Sequence, residues 1–124
     1  MKTKFIMGSS ALFMALLGSV TLFLPEETLT YLGADSIANA SLTVSIMGAM
    51  YLGFAFLNWY TRSISIGGIY ARPLAMGNFM HFAVGAVTLA KMFRIDMPQL
   101  LIPIALIYVL FALAFGWILF FKRL

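Results

Sequence analysis

Four oily runs, each about twenty residues long and separated only by short polar connections, decide what this chain can become. A helix rises about 1.5 Å per residue and the hydrocarbon core of a bilayer is about 30 Å thick, so about twenty apolar residues make one crossing. The runs cover about residues 5–24, 37–60, 73–90 and 100–121. The first stops at Pro25-Glu26-Glu27, and the third opens on Pro73, in the first-turn position that proline tolerates. The connections hold no linker-like stretch, so residues 1–124 read as a single transmembrane domain. The expected fold is all-α: a polytopic membrane protein built as a four-transmembrane-helix bundle.

Composition removes the soluble alternative. Of the 124 residues, 63% are hydrophobic and 10% charged, with a mean hydropathy of +1.01. Soluble domains average about 45–50% apolar and about 25% charged residues. A chain this short buries only about 60–70% of its surface on folding, so lipid must cover the excess. The first run has Lys2 and Lys4 before it, as a signal peptide would. It is longer than the usual h-region of about 7–15 residues, and the nearest A-x-A pattern, Ala38-Asn39-Ala40, lies well beyond it. A retained helix is expected.

The charges set an orientation. Lys2, Lys4, Arg62, Arg72, Lys122 and Arg123 belong to the N-terminus, the second connection and the C-terminus, whereas Lys91 and Arg94 belong to the third connection. Glu26, Glu27 and Asp35 share the first connection with no basic residue. The positive-inside rule then places both termini in the cytoplasm, with the chain as a multi-pass membrane protein. The net charge of +4 is spread over helix ends rather than gathered on one face, so nucleic acid is not an expected partner. Trp59, Tyr60 and Tyr70 read as an interfacial aromatic belt, and Gly67-Gly68 as a turn.

Small residues recur at helical spacing: Gly8, Ala11, Ala15 and Gly18 in the first run, Ser41, Ser45, Ala49 and Gly53 in the second, and Ala112 with Gly116 in the fourth. Such rows let membrane helices approach closely. They serve contacts within one chain or with a second copy equally well.

The polar residues inside the oily runs are the candidates for chemistry. Counting from Arg72 at the interface, Asn78 lies about 9 Å deeper and His81 about 13–14 Å deeper, near the bilayer midplane. Asn78, His81, Gly85 and Thr88 share one helical face. Tyr51, Asn58 and Arg62, at i, i+7 and i+11, share a face on the preceding span. Neighbouring spans joined by a short connection usually pack together. A cytoplasm-facing polar pocket between the second and third spans is therefore expected, lined by Tyr51, Asn58, Arg62, Arg72, Asn78 and His81. Each residue also has a plainer role. His81 can tie helices through a serine or tyrosine, the asparagines can be interhelical glue, and the arginines can anchor the chain at lipid headgroups.

Several classes fall away. All four carboxylates, Glu26, Glu27, Asp35 and Asp96, lie in or beside connections. Proton-coupled cation exporters and sterol-isomerase-like enzymes need an acid inside the membrane. One histidine and no cysteine cannot build a bis-histidine haem site or a three-ligand zinc site in one chain. No metal and no cofactor is expected, and no catalytic residue is assigned.

The stretch LGFAFLNWYTRSISIGGIYARPLAMGNFMHF resembles a pattern found in small bacterial four-helix inner-membrane proteins, loosely DoxX-like, some of which accompany respiratory or redox membrane complexes. The resemblance is strongest from Leu52 to Lys91. It implies a four-helix bundle, and it carries over no activity and no catalytic residue. The expected function is a non-catalytic binding or accessory subunit that holds a membrane lipid, a quinone or a similar amphiphile, alone, as a homo-oligomer or in a larger membrane complex. The rivals are a membrane enzyme using His81 as acid or base, with Tyr51 as its second group, and a small homo-oligomeric transporter.

Single cysteines test the orientation. Glu27→Cys should react with a membrane-impermeant thiol reagent in intact cells, and Ser65→Cys should stay unlabelled. The reverse pattern would invert the topology.

Overall fold

The computed structural model describes residues 2–63, 71–93 and 96–121. The Gly67-Gly68 turn, Ser65, Tyr70, Arg94, Lys122 and Arg123 lie outside them. The described residues form five helices: α1 (Lys2–Phe23), α2 (Pro25–Leu32), α3 (Ala40–Tyr60), α4 (Arg72–Lys91) and α5 (Leu101–Phe120). Four of these, all but α2, are long and apolar enough to cross a membrane. In those spans only 17–33% of the most apolar stretch is buried within the protein. Side chains such as Phe5, Leu16, Leu42, Phe56, Leu110 and Leu113 are all more than 60% exposed. Apolar surface on that scale calls for lipid, and the chain is a multi-pass membrane protein.

The helices fall into two compact units, one of Met7–Arg62 and the other of Met1–Ile6 with Ser63–Leu124. In the first, α1 and α3 run antiparallel: Gly8 lies near Trp59, Ser10 bonds Asn58, and Gly18 meets Gly48. The buried face of α1 carries Met7, Ser10, Ala11, Met14, Gly18 and Thr21, at the steps of three and four that keep residues on one side of a helix. At the Gly18–Gly48 crossing the backbones touch. A Cβ on Gly48 would stand 2.6 Å from the Leu22 nitrogen and from Thr21 Oγ1, and one on Gly18 would stand 2.9 Å from the Gly48 carbonyl oxygen. Neither position admits a side chain without separating the helices.

The small-residue row expected on the second span is corrected here. Ala49 and Gly53 are exposed, and a Cβ on Gly53 would meet nothing within 4 Å. The buried face is Val44, Gly48, Ala55 and Asn58. The reason is rotational. Each residue turns about 100°, so a row stepping by four drifts about 40° per step, and Gly53 ends about 180° from Val44.

The first connection also differs from expectation, because it contains α2. Proline disfavours helical backbone in the residue before it, and Leu24 leaves the helical region at φ −128°, ψ 55°. Pro25 then opens α2, with Glu26 and Glu27 in the first turn, where a helix favours negative charge. Gly33 closes it at φ 74°. The Gly33 amide donates to the Thr30 carbonyl at 3.1 Å and the Ala34 amide to Leu29 at 2.8 Å, the two bonds of a Schellman motif. Asn39 takes a second left-handed turn at φ 63° just before α3.

In the second unit, α4 and α5 form an antiparallel pair. Phe79 meets Phe120 edge-on at 5.5 Å, Phe82 stacks on Phe115 at 5.9 Å and 5°, and Gly85 faces Tyr108. Phe82 and Phe115 are fully buried. Of the small pair expected on the last span, Gly116 leaves room for Phe79, whose ring a Cβ would approach at 3.0 Å.

Two leucine substitutions separate these faces. Gly48→Leu should prevent the α1–α3 crossing and destabilise the protein by about 3 kcal/mol or more, the upper range of overpacking. Gly53→Leu should leave it near wild type. Thermal unfolding and size-exclusion profiles in detergent micelles read both, and equal behaviour would refute the assigned face.

Candidate functional site

Each unit holds one polar centre, and the expected site residues divide between them. Tyr51, Asn58 and Arg62 belong to Met7–Arg62, and Arg72, Asn78 and His81 to the other unit.

In the first unit, Asn58 and Ser10 are both fully buried. Asn58 Nδ2 donates to Ser10 Oγ at 3.0 Å, and Ser10 Oγ donates to the Met7 carbonyl at 2.9 Å. This relay joins α3 to α1 where hydrocarbon on every side would otherwise leave an amide unsatisfied. One turn later, the Arg62 guanidinium lies 3.8 Å above the centre of the Trp59 ring and donates through Nη1 to the Trp59 carbonyl. Trp59 is 44% exposed, so the stacked pair is open to its surroundings. Tyr51 is half-buried two turns before Asn58.

Beside this relay runs an apolar groove of about 190 Å3. Ala11, Leu12 and Ala15 line it from α1, and Leu52, Ala55, Phe56 and Trp59 from α3. It exists because three of those positions are alanines, which hold the helices close without filling the space between their larger neighbours. Its Trp59 end is the end that carries Arg62.

In the second unit, Arg72 is exposed at the start of α4. Asn78 is fully buried and its Nδ2 donates to the Leu74 carbonyl at 3.0 Å. Thr88, at the far end of the expected polar face, is exposed and returns its hydroxyl to the Val84 carbonyl at 2.8 Å. His81 is half-buried, and its Nε2 lies 3.0 Å from Tyr108 Oη. Tyr108 is 4% exposed, and its ring packs on Phe82 at 5.1 Å. Gly85, one turn beyond His81, supplies the space for that ring: a Cβ there would overlap Tyr108 Cε2 and stand 2.7 Å from Cδ2.

Tyr108 is therefore a partner of His81 that is not among the expected site residues. A depth comparison points to it. His81 lies nine residues from the start of α4, about 14 Å, and Tyr108 lies twelve residues from the end of the antiparallel α5, about 18 Å, so the two sit within about one turn of each other.

Among the described residues, no buried side-chain nitrogen or oxygen lacks a hydrogen-bond partner, and no group of three or more His, Asp or Glu side chains is placed to hold a metal. Comparison of the chain with protein-family models, with curated proteins and with solved structures finds no match. The class that fold and geometry define is thus a small multi-pass helical membrane protein. Among the described residues its buried polar side chains are bonded within it, and an apolar groove runs between α1 and α3.

Tyr108→Phe isolates the cross-helix bond, because it keeps the ring that fills the space over Gly85. The expected loss is about 0.6 kcal/mol, the average for such bonds in one membrane protein, and no more than about 1.7. Unfolding in mixed micelles measures it. A loss above about 3 kcal/mol would show that the hydroxyl does more than tie α4 to α5.

Proposed function

We propose that this protein is a non-catalytic binding or accessory subunit of the bacterial inner membrane that holds a lipid, a quinone or a similar amphiphile. The observation that carries this reading is the groove between α1 and α3, hydrocarbon along its length and lined at one end by Trp59, the residue on whose ring Arg62 stacks. An elongated apolar tail with a polar head fits that sequence of surfaces, and such sites are apolar with a few placed polar groups. Of the six residues expected to bind, Arg62 is the one this reading keeps at the ligand. Asn58 and His81 serve it as interhelical ties, Asn78 bonds the Leu74 carbonyl of its own helix, and Tyr51 and Arg72 lie outside the groove lining.

The basic residues favour an orientation with both termini in the cytoplasm, which sets Arg62 at the cytoplasmic interface. The likeness to DoxX-like proteins fits an accessory role beside a larger membrane complex. Ala49 and Gly53, small and exposed on α3, are residues of the kind that admit a neighbouring helix from such a complex or from a second copy.

Native mass spectrometry of the protein extracted with its own lipids tests the reading. Wild type should retain an amphiphile through activation. Ala15→Phe, which fills the groove from a half-buried position, should cut that occupancy about tenfold while helicity and elution volume stay unchanged. Equal occupancy in the two proteins would remove the groove as the site.

A further inference from the structure

We infer that the occupant of the α1–α3 groove is an anionic phospholipid, one acyl chain lying along the alanines and its phosphate held by Arg62. The inference rests on the groove reading above and concerns the chemistry of the head. The lining is aliphatic and aromatic, and its one polar hydrogen is the indole N–H of Trp59. A quinone head carries two carbonyls on opposite sides of its ring and needs donors for both. An acyl chain needs none.

Arg62 is prepared for a phosphate. Its guanidinium carries five donors in a planar fork. Stacking at 3.8 Å on Trp59, with one nitrogen on the Trp59 carbonyl, fixes that plane beside the tryptophan that lines the groove, so less freedom is lost on binding. Carbonyls at the end of a helix would ordinarily repel an anion. Here the Leu57 carbonyl accepts from Thr61 through both Oγ1, at 2.6 Å, and the amide, at 3.1 Å. The Trp59 carbonyl is engaged by Arg62 itself.

Charge complementarity points the same way. Neither α1 nor α3 contains an acidic residue. The acids of this unit, Glu26, Glu27 and Asp35, follow the C-terminal end of α1 and precede α3. In an antiparallel pair that is the end away from Arg62, so no carboxylate of this unit competes for the guanidinium. Tryptophan settles at headgroup depth in bilayers. Leu52, seven residues before Trp59, lies about 10 Å further along the helix, where an acyl chain would run.

The full chain, delipidated in detergent, is titrated with phosphatidylglycerol, with phosphatidylcholine of the same acyl chains, and with ubiquinone, and occupancy is read by native mass spectrometry. Wild type should hold phosphatidylglycerol about fivefold more than phosphatidylcholine, the size expected of one basic residue at an anionic lipid surface. It should hold ubiquinone least. Arg62→Gln should bring phosphatidylglycerol down to the phosphatidylcholine level and leave phosphatidylcholine unchanged. Ala15→Phe should reduce both lipids alike, with circular dichroism confirming its helices. If Ala15→Phe abolishes binding but wild type treats the two lipids equally, or prefers ubiquinone, the groove stands and the anionic-phospholipid assignment fails. If Ala15→Phe changes nothing, the groove reading fails and the assignment with it.

Discussion

A peptide group in hydrocarbon has no water to bond, so every amide and carbonyl must find its partner inside the protein. The long helices meet that demand within themselves, and the remainder of the structure follows from what they cannot do alone. Helices surrounded by lipid gain little from hiding apolar side chains against each other, since lipid tails are as oily as leucine. Close fit and interhelical hydrogen bonds must hold them instead. Both appear in each unit: the Gly18–Gly48 contact with the Asn58–Ser10 bond in one, and the Gly85–Tyr108 fit with the His81 contact in the other.

This explains why so hydrophobic a chain keeps asparagine, serine and histidine in its spans. A side-chain amide in lipid is costly unless paired. Once paired across two helices, the same cost selects a single register, because any slip would strand the group. Asn58 and Ser10 therefore specify which turn of α3 meets which turn of α1. The alanines beside them leave a channel that larger residues would have closed, so the tie and the groove are products of one interface.

How much of this was legible in the residues depends on which property carried the signal. Hydropathy alone marked the four spans, because lipid tests composition more than detail. The short α2 was marked too, by Pro25, by Glu26 and Glu27 after it, and by Gly33, but its polarity read as connection. The face of α3 was not legible, because spacing by four residues looks helical while it winds slowly around the axis. Gly48, not Gly53, carries the contact. Asn58 and His81 stood out as polar, yet their partners did not: Ser10 and Tyr108 are ordinary residues whose importance lies in depth on another helix. The groove was not legible, since it is a shape between two surfaces and three alanines announce nothing by themselves.

The fit of Tyr108 over Gly85 has an evolutionary corollary. The absence of a Cβ on one helix and the presence of a ring on the other are a single trait written at two distant codons. A lineage that enlarges residue 85 must first, or at once, shrink residue 108, and each intermediate has either an overlap or a void between α4 and α5. The two positions are thus expected to drift together or not at all.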